Sequence, residues 1–101
     1  MLVIAGHIRL DPARREAAVA AARAVTEATR REAGCISYAF SADLADPALF
    51  YVFEEWESQA ALDAHFKTPH MATFQGAMAG LGIQGVKIQR YDVASVKPLM
   101  G

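Results

Sequence analysis

The sequence contains little cysteine, no excess of either charge and no long hydrophobic run. With one cysteine, Cys35, among 101 residues, the chain can form no internal disulfide and no cysteine-cluster metal site. Ten basic and eleven acidic residues give a net charge of −1, which argues against a general nucleic-acid-binding protein. No apolar stretch approaches the roughly 20 residues needed to span a bilayer. Gly6, His7 and Arg9 interrupt the first apolar stretch, so we expect no signal peptide, no membrane association and a soluble cytoplasmic protein.

The sequence also lacks the motifs of several enzyme classes. Gly80 and Gly82 follow a predicted helix rather than a strand, so they do not resemble a phosphate-binding loop. No Gly-x-Ser-x-Gly motif is present, and Cys35 has no basic neighbour that would activate its thiol. Nucleophilic catalysis is therefore not expected.

The apolar content is large, but much of it is alanine. Apolar residues make up 53% of the chain, and 21 of them are alanines. A chain of this length supports one domain, which we place over residues 1–101, and it buries roughly two-thirds of its surface. The larger apolar side chains form a modest core for a monomer, so we expect some of them to contact a partner.

The apolar pattern predicts the element order β-α-β-β-α-β. Period-two alternation predicts strands at 2–10, 35–41, 49–57 and 86–93. The longer, helical period predicts one helix at 13–32 and a second helical region at about 59–81, with an N-cap at Ser58 and a break at Pro69. A tail follows from about residue 94. This order is that of the ferredoxin-like α+β fold, in which we expect both helical regions to cover one face of a four-stranded antiparallel sheet.

The other face of the predicted sheet carries large apolar side chains. Its members come from sets such as Tyr38, Phe40, Tyr51 and Tyr91, although alternation alone leaves open which set of each strand lies there. An apolar face of this kind usually marks a binding surface. Two sheets packed face to face across a two-fold axis would cover it, which predicts a homodimer through the sheet face.

The three histidines do not form a metal-binding motif by their spacing. His65 and His70 are five residues apart with a proline between them, so they do not share a helical face as in His-x-x-x-His. No carboxylate at a zinc-type spacing completes a set of ligands, so we predict no metal site.

The charged stretch from Glu54 to Glu57 has two interpretations. Taken alone, its acids are solvated residues at a strand end, and Trp56 is an aromatic residue that closes the core. His65, three residues after Leu62, is likewise interpreted most simply as a packed, hydrogen-bonded core histidine. The alternative is that these residues form a site together.

Several short motifs occur together and in a fixed order along the chain. They are Val3-Ile4-Ala5 and Ile8-Arg9, then Glu32-x-Gly34-Cys35-x-x-Tyr38-Ala39, then Glu55-Trp56-Glu57-Ser58, Leu62, Ala64-His65 and Thr68-Pro69-His70-Met71. This set covers nearly the whole chain and resembles the antibiotic biosynthesis monooxygenase family. Within that family it is most similar to the bacterial quinol monooxygenases.

The resemblance implies a fold, an assembly and a chemistry. Family members have a βαββαβ protomer whose sheets pair into a dimeric α/β barrel. They oxidise quinols and other electron-rich aromatics with molecular oxygen, without flavin, haem or metal. Removal of a phenolic proton gives an anion that can pass one electron to oxygen, so such a protein needs a dry pocket, a proton acceptor and positioning groups.

This chemistry assigns expected roles to particular residues. His65 is the candidate catalytic base, because histidine exchanges protons near neutral pH, and Trp56 is a candidate to stack on the aromatic substrate. The other candidates for the substrate site are His7 or Arg90, which would hold the phenolate or a peroxide oxygen, and the pocket-lining residues Tyr51, Phe40 and Phe74.

The sequence also departs from parts of the family. Val52 and Leu62 stand where the polyketide-pathway members have a substrate-positioning asparagine and tyrosine, so hydroxyanthrone specificity is not expected. Gln75 stands where the haem-degrading branch has its iron-binding histidine, which disfavours haem degradation. The main alternative is a non-catalytic dimeric module that binds a small aromatic or serves in a stress response. The sequence leaves the substrate open, as well as which histidine reaches a cavity and whether the tail crosses to a partner.

Overall fold

The computed structural model, which describes residues 1–101, has the predicted element order, with the second helical region divided into two helices. The strands are β1 (Leu2–Leu10), β2 (Cys35–Ala42), β3 (Leu49–Trp56) and β4 (Ile83–Asp92), and the helices are α1 (Arg15–Thr29), α2 (Gln59–Phe66) and α3 (Pro69–Met78), with a single 3₁₀ turn (Pro12–Arg14) before α1. No helix has both the length and the apolar character that a membrane crossing requires.

Side-chain caps fix where the helices begin. The Ser58 hydroxyl accepts a hydrogen bond from the backbone N–H of Ala61 and starts α2, as predicted. The Thr68 hydroxyl accepts one from the N–H of Met71, and Pro69 then occupies the first turn of α3, where its missing N–H costs nothing. Helix α2 therefore ends at Phe66 and α3 begins at Pro69, where the sequence predicts a break.

Helix α1 ends at Thr29, earlier than the predicted boundary at residue 32. A tight turn follows, in which the N–H of Glu32 donates to the carbonyl of Thr29 and Gly34 adopts a φ of 83°. Such a φ favours glycine, which has no Cβ to clash with the backbone. The carbonyl of Gly34 accepts a hydrogen bond from the N–H of Glu57, so the turn is tied to the segment before α2. This link brings Glu32 towards that helix.

The sheet is antiparallel and has the order β2-β3-β1-β4, with the helices on one face. The register pairs Tyr38 with Glu54 and Phe40 with Val52, and these side chains lie on the helix side. The sequence left open which set of each strand lies on the open face, and the pairing with β3 places Tyr38 and Phe40 under the helices instead. Tyr51 and Tyr91 lie on the open face and are 41% and 48% exposed.

Strand β4 begins at Ile83, three residues before the predicted start, so Gly85 belongs to the strand rather than to the preceding loop. A register shift opposite Arg9 and Leu10 accommodates the extra length. Because β4 is an edge strand along which no helix packs, Val86 and Ile88 remain exposed on the helix side.

The helix-covered face contains two core clusters. We call the first the polar-end cluster, since it adjoins the buried polar groups described below; its apolar members are Leu2, Val25, Tyr38, Trp56, Leu62 and Met71. We call the second the apolar-end cluster; its members are Leu10, Ala18, Phe50 and Leu81. The small side chain of Ala18 lets α1 lie close to the sheet in the second cluster, as its alanine-rich face predicts.

Candidate functional site

Trp56 and His65 are in contact at the polar end of the core. Trp56, the last residue of β3, is completely buried, and His65 on α2 is 1% exposed. Their ring centroids are 4.7 Å apart, with the planes inclined at 38°. Two residues that are nine positions apart in the sequence are thus brought together because α2 folds back over the end of β3.

A carboxylate from the turn after α1 holds His65. Oε2 of Glu32 lies 2.7 Å from Nδ1 of His65 and 2.8 Å from Nε2 of His70, the second residue of α3. A carboxylate beside Nδ1 favours the proton on that nitrogen, which leaves Nε2 as the proton acceptor of the ring. The dyad of Glu32 and His65 is therefore arranged to accept a proton at Nε2.

Glu54 is a second buried carboxyl group at this end of the core. Its Oε1 accepts a hydrogen bond of 2.9 Å from the indole Nε1 of Trp56. Burial raises the pKa of Glu54 to about 7; the bond from Trp56 lowers this pKa somewhat and the nearby Glu32 raises it. Glu54 is consequently divided between its acid and its carboxylate near neutral pH.

The interpretation of Glu54 as a solvated acid was therefore wrong, because β3 alternates its side chains between the two faces and this one lies under the helices. Its neighbour Glu55 lies on the open face and accepts a hydrogen bond of 2.6 Å from the Ser37 hydroxyl.

Two further ionisable groups of this region stay neutral. Burial raises the pKa of the Tyr38 phenol well above its usual range, and the carboxylates of Glu54 and Glu32 add to this effect. Burial also raises the pKa of the Cys35 thiol. A neutral thiol is a poor nucleophile, which agrees with the expectation from the sequence. The Tyr38 ring lies edge-on to the His65 ring, with 5.7 Å between their centroids.

A small apolar cavity of about 20 Å³ lies in the apolar-end cluster. Its lining consists entirely of apolar side chains: Ile8, Leu10, Ala18, Ala22, Phe40, Phe50, Phe74, Met78, Leu81 and Ile83. Phe40 and Phe74 contact each other across it, with ring centroids 5.6 Å apart. Neither Trp56 nor His65 lines this cavity. The Tyr38 ring connects the two regions, because it packs against Phe40 on one side and His65 on the other.

An open groove of about 520 Å³ runs between α1 and β2 beside this cavity. The groove shares Ala22, Phe40 and Phe50 with the cavity wall, and its rim carries Arg15 and Arg23.

The remaining candidate residues lie elsewhere. His7 and Tyr51 are neighbours on the open face of the sheet, with ring centroids 6.3 Å apart. Arg90 is exposed on the edge strand, where its guanidinium donates to Gln59 and to Asp92. Within one chain the structure therefore brings Trp56 together with His65 and Phe40 with Phe74, but it places His7 and Tyr51 across the sheet from them.

Sequence reasoning did not identify Glu32 and Glu54 as site residues. Glu32 was assigned to the helix, and its contact with His65 depends on the turn that begins after Thr29. Glu54 could have been found, because it lies two residues from Trp56 in a strand and so shares its face.

Comparison with known proteins gives a consistent result. The family model described as antibiotic biosynthesis monooxygenase matches residues 1–77. YgiN of Escherichia coli K12, named a probable quinol monooxygenase, is 32% identical over 90 residues, which cover 79% of this chain and 86% of YgiN. The protein sll1783 of Synechocystis is 36% identical over 98 residues, with 97% of this chain and 67% of that protein covered. A crystal structure from Deinococcus radiodurans superimposes over the full length of both chains with a TM-score of 0.91 at 26% identity.

Proposed function

Because the chain belongs to the antibiotic biosynthesis monooxygenase family, we propose that it oxidises a quinol or a related phenolic aromatic with molecular oxygen, and that this reaction needs no flavin, haem or metal. The observation that carries this proposal is the dyad of the buried His65 and the partly buried Glu32. The carboxylate orients the His65 ring through Nδ1, and the ring packs beside Trp56 with only 1% of the residue exposed to water.

His65 is proposed to act as the base. Its Nε2 would take the proton of a phenolic hydroxyl, while the negative charge of Glu32 stabilises the imidazolium that forms. The hydrogen bond at Nδ1 fixes the orientation of the ring. Proton transfer of this kind contributes about 10²–10⁴-fold to a rate.

The phenolate would then react with oxygen without a cofactor. It gives one electron to O₂, and the resulting semiquinone and superoxide combine to form a C–O bond. The ring peroxide takes up the proton held by His65. As its O–O bond breaks, the departing hydroxide takes the hydrogen of the same ring carbon and leaves as water. One oxygen atom remains on the ring as a hydroxyquinone, the other leaves in the water, and the four electrons come from the quinol.

The substrate ring is proposed to occupy an enlarged form of the apolar cavity that extends past the Tyr38 ring to His65, because Tyr38 packs between Phe40 and His65. At about 20 Å³ the present cavity holds no more than about one water molecule, so ring binding requires movement of its lining. Met78 and Phe74 are suited to this, because methionine is flexible and Phe74 is only partly buried. The groove between α1 and β2 supplies a route, since it shares Phe40 with the cavity and lies one ring away from Tyr38.

We further propose that two chains pair through the open face of the sheet. This face exposes Tyr51, Phe53 and Tyr91, which are 41–48% exposed in the single chain. Burial of such residues in a seam would remove an apolar patch from water. His7 and Tyr51 would then lie in the dimer seam rather than beside His65 of their own chain.

The enzymatic proposal is tested by oxygen consumption with a panel of reduced benzoquinones and naphthoquinones, corrected for their spontaneous oxidation. We expect turnover by the wild type and a loss of about 10²–10⁴-fold in kcat for His65→Asn, which keeps a polar side chain but has no titratable nitrogen. Lys67→Gln, an exposed residue directly after α2, is the control and should retain the rate.

A correctly folded wild-type protein that is inert towards the whole panel would overturn the enzymatic proposal, as would full activity in His65→Asn. If a quinol raises the melting temperature without turnover, the chain is instead a binding module, with stabilisation of RT ln(1+[L]/Kd).

The assembly is tested separately by size-exclusion chromatography with light scattering. We expect twice the chain mass of 10.9 kDa, and a monomer for Phe53→Asp, which places a charge in the proposed seam. A wild-type mass of one chain would end the dimer proposal.

A further inference from the structure

Glu32, His65 and His70 form a group of possible metal ligands that the spacing of the histidines did not predict. One ligand atom from each residue lies within 4.8 Å of the other two. From this geometry we propose that the three side chains bind one divalent transition-metal ion. The third ligand comes from the turn after α1, more than thirty residues before the histidines, so no local motif could indicate it.

The two histidines direct their nitrogens at a common point. Nδ1 of His65 and Nε2 of His70 both lie within 2.8 Å of the same oxygen of Glu32, so both nitrogens would direct their lone pairs there once an ion displaces their protons. A zinc ion bonds to histidine nitrogen and carboxylate oxygen at about 2.0–2.2 Å in tetrahedral geometry, and so it spans ligand atoms roughly 3.3–3.6 Å apart. The long Glu32 side chain would withdraw slightly to admit the ion, with little change in α2 or α3.

The type of donor selects the type of ion. Two imidazoles and one carboxylate suit first-row transition ions such as Zn²⁺ and Co²⁺, whereas Mg²⁺ and Ca²⁺ prefer sites made of oxygen. Three protein ligands also leave coordination positions for water or a small ligand. The His70 side chain is 25% exposed, which gives an ion a path from solvent to the otherwise buried group.

The inference does not depend on the proposed enzymatic function. An ion at this point would take the His65 nitrogen that Glu32 now holds, so the metal-loaded chain and the chain with the oriented base are two different states. Binding is therefore measured directly, and turnover is measured separately in the presence of a chelator.

The test uses the full chain without a histidine tag, titrated with Co²⁺ and followed by its visible absorption, and with Zn²⁺ followed by calorimetry. We expect one ion per chain. In metal sites generally, removal of a residue that hydrogen-bonds to a ligand weakens metal affinity by about 10–100-fold. Removal of a ligand itself, in His70→Ala or Glu32→Gln, should therefore weaken the affinity by at least about tenfold. His7→Ala removes the histidine outside the group and should bind as the wild type does.

His70→Ala is the decisive variant, because its partly exposed side chain can be removed with less risk to folding than that of the buried His65. The proposal is overturned if the wild type binds neither ion, if both His70→Ala and Glu32→Gln bind with wild-type affinity, or if His7→Ala abolishes binding. These results leave the oxygen-consumption assay unaffected, so the two proposals fail independently.

Discussion

The two ends of the helix-covered sheet face differ in both chemistry and packing. At the apolar end, Phe50 and its neighbours contribute only apolar side chains and leave a small cavity. At the polar end, the same face of the same strand carries Glu54 and Trp56, and the Trp56 ring packs against His65. The change takes place within six residues of β3.

This difference indicates that the two ends of the core have different roles. Buried ionisable groups are costly unless they are hydrogen-bonded, and a core that retains them at one end is often specialised there. The apolar end has no buried ionisable group among its core residues, and it contains the small cavity that an aromatic ring could enlarge. The Tyr38 ring lies between the two, in contact with Phe40 and His65.

The largest expected effect is on stability at the polar end. Trp56→Ala should lower the free energy of unfolding by about 3–5 kcal/mol, because it empties the most buried position of the core. It also leaves Glu54 without its hydrogen-bond donor. Urea unfolding of the wild type and the variant measures the difference.

The control is Phe66→Ala on α2, where the aromatic ring is 55% exposed and the loss should be much smaller. Equal losses in the two variants would show that the polar end is not the tightly packed region that the comparison requires.

Much of this contrast could be predicted from the sequence, and the reasons for the failures are specific. Alternation and caps located the strands and the start of α2, because period two and an N-cap serine are local signals. The face on which Tyr38 lies stayed open, because it depends on the pairing of β2 with β3. The contact of Glu32 with His65 and His70 could not be predicted, because it combines an early helix end with a long-range approach.

A second, smaller effect concerns pH. The pKa of Glu54 is raised by burial from 4.5 in the reference state to about 7 in the folded chain. The folded chain therefore binds the proton more tightly, so this group's stabilising contribution is complete below pH 4.5 and is lost as the pH rises through 7. A shift of this size corresponds to roughly 3 kcal/mol.

Glu54→Gln removes the titrating group and should reduce this loss of stability between pH 4.5 and pH 7, measured by urea unfolding at both values. Trp56→Phe removes the hydrogen bond that lowers the pKa of Glu54, so it should move the loss to higher pH. If wild type and Glu54→Gln show the same dependence, Glu54 is not the buried acid that distinguishes the polar end.

The smallest effects come from a matched pair of glycines. At the polar end, Gly34 has a φ of 83°, and a Cβ added there would lie 2.5 Å from the Cβ of Ala61 on α2. Gly34→Ala should therefore cost at least about 1–2 kcal/mol from its backbone conformation alone. In α3, a Cβ at Gly76 meets nothing within 4 Å, so Gly76→Ala should stabilise the chain by about 0.5–1 kcal/mol through helix propensity. Thermal unfolding of both variants checks the opposite signs.

Because the turn at Gly34 also carries Glu32 towards His65, strain there should disturb the polar end. A Gly34→Ala variant that is as stable as the wild type would mean that this turn can move away from α2, and that the position of Glu32 is less constrained than the packing indicates.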